Sequence, residues 1–138
     1  MKEFRPGTKL IVFWSCILTL LKVCNICYQP AVISKIFRKG TKVIVDVICK
    51  FNHKFSWHSQ PNENGRTAGN IAIVASTVIS GGTFERLKEI FQTALIPLFS
   101  HTTFYKIQKR LVLPAIHRVF ITQRQLLFDD ARERERRH

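Results

Sequence analysis

The chain has 138 residues, of which 46% are hydrophobic, and this content excludes an intrinsically disordered polypeptide. Its length allows one modest domain or two very small ones. The 22 lysines and arginines outnumber the 9 acidic residues, so the net charge is +13. Such a surplus favours a polyanionic partner, either nucleic acid or an anionic membrane surface, and we expect no small-molecule substrate.

An apolar run, residues 10–21, follows a mostly basic start and has the outline of a signal peptide. The run is shorter than the roughly 20 apolar residues that a membrane span requires. No cleavage site of small residues follows it, because Lys22-Val23-Cys24 comes next. We therefore predict that residues 1–23 form a strand and a short helix packed on the following segment, and a membrane location is not expected. Secretion stays the alternative.

Two cysteine-containing turns frame the next segment, residues 24–58. Cys24-Asn-Ile-Cys27 and Cys49-Lys-Phe-Asn-His53 have spacings at which two ligands on one turn reach the same metal ion. These four residues predict a closed, structural Zn²⁺ site, with His58 as an alternative fourth ligand. Cys16 lies outside the pattern and is expected to be a buried small apolar residue. The alternative is cysteines without metal, in two disulfides or as free thiols.

The stretch between the two turns predicts a β-hairpin. Residues 31–37 and 41–49 are the strands, and Arg38-Lys39-Gly40 is the turn. In the second strand one face carries Val43, Val45, Val47 and Cys49. A hairpin with a metal-binding turn at each end is the layout of a zinc ribbon, so the fold class expected is α+β, with a small zinc-ribbon hairpin ahead of a helical region.

The helical region is predicted at residues 68–128, after a polar linker at residues 59–67 that contains a proline and a glycine. A first helix ends at Gly81-Gly82, and Thr83 caps a second. Ser100 or Thr102 caps a third, and Pro114 fits the first turn of a fourth. The charged tail, residues 129–138, is expected to fray into solvent.

The second and third of these helices, residues 84–94 and 102–112, have the order of a helix-turn-helix. In such a unit the second helix enters the major groove of DNA. We predict DNA as the partner, although the connection is long for this motif and a helical hairpin in a core is the alternative. The residues predicted to contact DNA are His101, Thr103, Lys106, Lys109 and Arg110.

Catalytic patterns are not found. Asp129-Asp130 lies in the charged tail, and no histidine is paired in sequence with a credible nucleophile. A zinc ion with four protein ligands leaves no open position for a water molecule. We therefore expect that the chain is not an enzyme by itself.

Several short motifs occur together in one order along the chain. They are Ile11-Val12-Phe13, the two metal-binding turns, Trp57-His58-Ser59-Gln60-Pro61, Ala68-Gly69-Asn70, Ser80-Gly81-Gly82-Thr83-Phe84 and the run from Ser100 to Lys109. This series, over residues 10–123, resembles the region ahead of the catalytic core in transposase-derived proteins of animal DNA transposons, of the Kolobok-like group.

The resemblance implies a nuclear location and a DNA-binding role. In that family a nuclease core of the ribonuclease-H type, with metal-holding acidic residues, would follow this region. The Asp-Gly-Arg block expected next is absent from the chain, which instead carries an arginine-rich segment at residues 132–138. The prediction is therefore a zinc-stabilised DNA-binding module without the nuclease core, with self-association as a further interaction. The alternative is a small secreted or membrane-associated basic protein with two disulfides.

Overall fold

The computed structural model describes residues 4–136. The chain forms two compact units, each with its own cluster of buried apolar side chains. The first contains the described residues up to Phe37 together with Val43–Ser59; the second contains Arg38–Lys42 and the described residues from Gln60 onward. A three-stranded antiparallel sheet precedes a series of helices in the chain, so the α+β class is confirmed.

The first unit is built on this sheet, in the order β1-β2-β3. Strand β2 pairs with β3, and Val45 lies opposite Trp57. The β2 face that carries the valines points inward, because Val45, Val47 and Cys49 are buried and Val43 is half-buried. The elements of this unit are α1 (Trp14–Leu21), β1 (Ala31–Lys39), β2 (Lys42–Cys49) and β3 (Lys54–His58).

Strand β3 is an addition to the predicted hairpin. Its side chains alternate, with Phe55 and Trp57 half-buried and their neighbours exposed, and both aromatic rings pack against the buried cluster of the first unit. This alternation is the signal of a half-buried strand. The sheet of the first unit therefore has a third strand directly after the second cysteine-containing turn.

The segment before the ribbon differs from its prediction. Residues 4–13 form no strand, and Ile11 and Phe13 are largely exposed. Helix α1 does form, and Ile17 and Leu21, one turn apart, face the buried cluster. Cys16 is exposed rather than buried, because it is rotated by about 100° from Ile17 around the helix.

The second unit contains a short hairpin and a series of helices. Its buried cluster is Val74, Phe84, Phe99, Phe104 and Val112. The elements are β4 (Asn62–Glu63), β5 (Arg66–Thr67), α2 (Ala68–Ile79), α3 (Phe84–Thr93), α4 (His101–Ile107), a π-helical turn (Gln108–Val112) and α5 (Leu113–Arg136).

The predicted linker is a folded hairpin. Strands β4 and β5 pair antiparallel around Asn64 and Gly65, whose φ angles are 49° and 74°. A two-residue Asn-Gly turn with both φ angles positive matches the right-handed twist of two paired strands. Residues 62–67 are thus a structured part of the second unit.

The third and fourth predicted helices are one continuous run. Pro114 has no N–H and its ring crowds the carbonyl four residues earlier, so it predicts a new helix start. The π-helical turn removes the conflict by widening the helix, and the N–H of Leu113 donates to the carbonyl of Gln108.

Helix α5 then continues through the charged tail to Arg136 with no buried residue, so the tail is helical rather than frayed over its described part. The Arg134–Asp130 pair, 2.9 Å apart and one turn apart, stabilises the helix there. Among the helices of residues 4–136, none combines the length and apolar character needed to cross a membrane.

The prediction that Thr83 caps α3 is confirmed, and of the two candidates Ser100 and Thr102 it is Ser100 that caps α4. The Thr83 hydroxyl accepts a hydrogen bond from the N–H of Arg86 at 3.3 Å, and the Ser100 hydroxyl accepts one from the N–H of Thr103 at 3.3 Å. Each satisfies one of the free donors in the first turn of its helix. These caps fix where α3 and α4 begin.

Candidate functional site

Cys24, Cys27, Cys49 and His53 converge in the first unit, as their spacing predicts. Their ligand atoms all lie within 4.8 Å of one another. The first two residues lie in the turn between α1 and β1, Cys49 ends β2, and His53 directly precedes β3. The sheet brings the two turns together, since β1 and β2 are neighbours in it.

Hydrogen bonds close the first metal-binding turn around the sulfur of Cys24. The N–H of Cys24 donates to the carbonyl of Gln29 at 2.9 Å, and the N–H of Tyr28 donates to the carbonyl of Cys24 at 3.0 Å. The N–H of Ile26 points at the Cys24 sulfur, 3.4 Å away. Backbone donors aimed at a sulfur stabilise its thiolate form, which is the form that binds metal.

The second metal-binding turn depends on an unusual backbone conformation. Asn52 has a φ of 65°, in the left-handed region that asparagine tolerates better than most residues. Its N–H donates to the carbonyl of Cys49 at 2.9 Å, and the N–H of Cys49 donates to the carbonyl of His53 at 3.2 Å. This tight turn brings the Cys49 sulfur and the Nδ1 of His53 within 3.6 Å of each other.

The spacing of the four ligand atoms suits a tetrahedral ion. Zinc bonds of about 2.3 Å to sulfur and about 2.0–2.1 Å to nitrogen would place two sulfurs about 3.8 Å apart and a sulfur and a nitrogen about 3.6 Å apart. The sulfurs of Cys27 and Cys49 are 3.7 Å apart, and Nδ1 of His53 is 3.9 Å from the Cys24 sulfur. The residues therefore fit a metal ion of this size.

The distance between the Cys27 and Cys49 sulfurs is too long for a disulfide. A disulfide requires sulfurs about 2.05 Å apart, whereas the Cys27 and Cys49 sulfurs are 3.7 Å apart. All four cysteines of the chain are free, including the exposed Cys16. The structure thus lacks the two disulfides of the alternative prediction.

The surroundings of Cys24 and Cys27 shift the pKa values of these two thiols in opposite directions. Hydrogen bonding from the backbone of Cys27, and secondarily of Ile26, lowers the pKa of Cys24 from 9.0 to about 6, although burial opposes the shift. A hydrogen bond from the backbone of Gln29 acts to lower the pKa of Cys27, but burial and the adjacent sulfurs of Cys24 and Cys49 raise it overall. Of the two thiols in the first turn, Cys24 therefore becomes a thiolate ligand more readily than Cys27.

The structure distinguishes the two histidines proposed as the fourth ligand. His53 belongs to the cluster through Nδ1. His58 is exposed at the far end of β3, opposite Ile44 in the sheet. The four side chains that lie close enough to hold one metal ion therefore include His53 and not His58.

The five residues predicted to contact DNA separate into two groups. Thr103, Lys106 and Arg110 line one cavity of the second unit, because residues three and seven positions apart share one face of a helix. His101 and Lys109 are not among the lining residues. Two further cations, Lys39 and Arg66, do line it and were not predicted, since their sequence separation from Lys106 gives no signal of proximity.

His101 has a different environment. Its ring packs on Phe84 and Tyr105, with centroids 5.3 Å and 4.5 Å away. Its Nε2 lies 4.0 Å from a carboxylate oxygen of Glu85. A contact between His101 and a DNA phosphate would therefore place the phosphate close to an acidic side chain.

Comparisons of this chain with protein-family models, with curated proteins and with solved structures find no match. The resemblance to transposase-derived proteins therefore stays a prediction from the motifs.

Proposed function

We propose that the chain is a zinc-stabilised, basic DNA-binding module that resembles the non-catalytic part of a transposase. The observation that supports it most strongly is the convergence of three cysteine sulfurs and one imidazole nitrogen within 4.8 Å. The partner is inferred from the net charge of +13.

Zinc is the metal that this donor set favours. Thiolate and imidazole donors in tetrahedral arrangement suit Zn²⁺, whereas magnesium and calcium prefer oxygen ligands. Four protein ligands complete the tetrahedron, so the proposed role is structural rather than catalytic. When bound, the ion would join the two metal-binding turns.

The first unit needs such a link because its core is small. Only six residues are buried in its cluster, and two of them are the ligands Cys24 and Cys49. Few buried side chains release too little free energy to offset the conformational entropy of a small domain. A structural zinc ion contributes roughly 10 kcal/mol or more to folding in such cases.

For DNA, we propose that the cationic residues of α4 and the π-helical turn contact phosphates. Thr103, Lys106 and Arg110 share one helix face, and phosphate contacts supply most of the free energy of non-specific binding. The helix-turn-helix of α3 and α4 is part of this proposal. Its connection, residues 94–100, includes Phe99, whose side chain is buried in the core of the second unit.

Binding of duplex DNA at increasing salt tests this function. We expect low-specificity binding that weakens steeply, because each neutralised phosphate contributes about 0.9 to the log–log salt slope. Changing Thr103 to Ala should alter the preference between sequences if the helix reads bases. Absence of DNA binding by zinc-loaded protein at low salt would contradict the proposal.

A further inference from the structure

A cavity of about 290 Å³ opens in the second unit. Its walls come from the end of β1, from β5, from the first turn of α2 and from one face of the helix formed by α4 and the π-helical turn. Residues far apart in sequence thus meet around one space.

The cavity has a polar floor and a cationic rim. Thr67 and Asn70 are 4% and 6% exposed and form part of the floor. The rim consists of exposed cationic side chains from β1, from β5 and from the helix formed by α4 and the π-helical turn. They are Lys39, Arg66, Lys106 and Arg110. Among residues 4–136, no carboxylate lines the cavity.

Within residues 4–136, none of the four rim cations forms an ion pair within 4.0 Å. Glu63 faces Arg66 across the β4–β5 hairpin but does not line the cavity. Four like charges around one space repel one another, and an anion placed between them would relieve that repulsion.

Two features of the floor add to the attraction for an anion. The cavity includes the first turn of α2, a helix of 12 residues whose N-terminal end carries partial positive charge. Thr67 occupies the N-cap position, yet its hydroxyl caps no N–H of the helix. That hydroxyl is buried and has no hydrogen-bond partner in the described part of the chain, which is a costly state for a polar group.

A buried lysine strengthens the positive field beside β5. Lys42 is 1% exposed, and its ammonium donates to the side-chain oxygen of Asn62 at 2.9 Å. Asn62 pairs with Thr67 across the hairpin. Within residues 4–136 the ammonium has no carboxylate within 4.0 Å, so its charge is not compensated locally.

We propose that this cavity is a phosphate-binding site, and that the phosphate belongs to the backbone of a nucleic acid. The assignment of the source rests on the proposed DNA-binding function. Arginine and lysine around a helix N-terminus form the chemistry that recognises phosphate. The volume of about 290 Å³ leaves room for one phosphate and its adjoining sugar, and it is at the lower limit of small-molecule pockets, about 300–1,000 Å³.

The test uses two double variants of the zinc-loaded chain that lose the same charge. Lys39→Ala with Arg66→Ala removes two rim cations and leaves α4 untouched. Lys9→Ala with Arg118→Ala removes one lysine and one arginine from exposed positions outside the cavity and outside α3 and α4. Circular dichroism melting establishes that both variants are folded.

If duplex DNA binds the unmodified chain, the salt dependence of DNA binding by the two variants tests the phosphate site. We expect the rim variant to lower the magnitude of the log–log slope by about 2, at about 0.9 per contact, and the control variant to leave it within error. Equal changes in both variants, or none in the rim variant, would overturn the site.

If DNA does not bind the unmodified chain, titration of the chain with inorganic phosphate tests the site. Nuclear magnetic resonance then measures the shifts of the backbone amides. Shifts of the Gly65, Thr67 and Asn70 amides that the rim variant abolishes would support the cavity as a site for a free phosphate or phosphomonoester. The proposed DNA-binding function would then be wrong while the site stands. The absence of such shifts would overturn the site as well.

Discussion

At the residue scale, Cys49 combines two roles. Its side chain is 6% exposed and belongs to the buried cluster of the first unit. Its sulfur also lies 3.7 Å from that of Cys27 and 3.6 Å from Nδ1 of His53. A ligand that is also a core residue couples metal binding to the packing of the sheet.

Replacing Cys49 by Ser should therefore unfold the first unit. The change weakens a site expected to contribute roughly 10 kcal/mol to folding. Cys16→Ser is the matched control, because Cys16 is exposed and outside the cluster, and exposed changes usually stay within about 0.5 kcal/mol. Thermal unfolding of both zinc-loaded variants measures the difference. Equal losses of stability would mean that Cys49 is not a ligand.

Asn70 holds the β1–β2 turn within the second unit. Its side-chain oxygen accepts hydrogen bonds from the N–H of Thr41 at 3.0 Å and from the Thr41 hydroxyl at 2.7 Å. Its amide nitrogen lies 3.4 Å from the carbonyl of Lys39 and donates to it. Asn70 is 6% exposed, so these bonds are largely shielded from water.

Asn70→Ala should lower the free energy of unfolding by about 1–3 kcal/mol, because it leaves the Thr41 donors without a partner. Gln92→Ala, which removes an exposed amide side chain from α3, is the control and should stay within about 0.5 kcal/mol. Denaturant unfolding of the two variants measures the difference. Equal losses of stability would contradict the role of the Asn70 side chain.

At the element scale, two glycine turns differ in their surroundings. Gly40, between β1 and β2, has a φ of 66°, and a Cβ there would lie 2.5 Å from Nδ2 of Asn70. Gly65, between β4 and β5, has a φ of 74° with nothing within 4 Å of such a Cβ. A residue with a Cβ would thus have similar backbone strain at the two positions, but only at Gly40 would its Cβ also clash with a neighbouring side chain.

Alanine at Gly65 should therefore cost about 1–2 kcal/mol, the penalty of a left-handed conformation for a residue with a Cβ. Alanine at Gly40 should cost more, since the Asn70 side chain must also move. Thermal unfolding of the two variants compares them directly. A Gly40→Ala variant no less stable than Gly65→Ala would show that the turn does not pack on Asn70 as described.

Much of the element structure follows from local signals. The inward face of β2 follows from the alternation through Val45 and Val47, and the caps of α3 and α4 follow from Thr83 and Ser100. The β4–β5 hairpin also has a local signal in the sequence, the Asn64-Gly65 pair. The prediction of a linker at residues 59–67 does not take this turn signal into account.

Other features depend on contacts that the sequence pattern does not encode. Pro114 predicts a helix start, but a π-helical turn accommodates it inside one continuous helix. The metal cluster was predictable because pairs of its ligands are close in sequence. The rim cations Lys39, Arg66 and Lys106 are far apart in sequence, and only the fold brings them to one cavity.

At the scale of the whole molecule, the two units have separate buried clusters, and within residues 4–136 the cluster of candidate metal ligands lies in the first unit only. A zinc chelator should therefore act unequally on the chain. We expect amide hydrogen exchange to accelerate in β2 and β3, while α2 and the last turn of α4 keep their protection. Uniform loss of protection across both units would contradict this division.

Metal analysis combined with thermal unfolding of the purified chain tests the zinc site most directly. The ligand geometry predicts one zinc ion per chain, retained by Cys16→Ser and lost from Cys49→Ser. Removal of the ion by a chelator should abolish the cooperative unfolding of the first unit. Protein free of metal that keeps the same circular dichroism and melting temperature would contradict the zinc site.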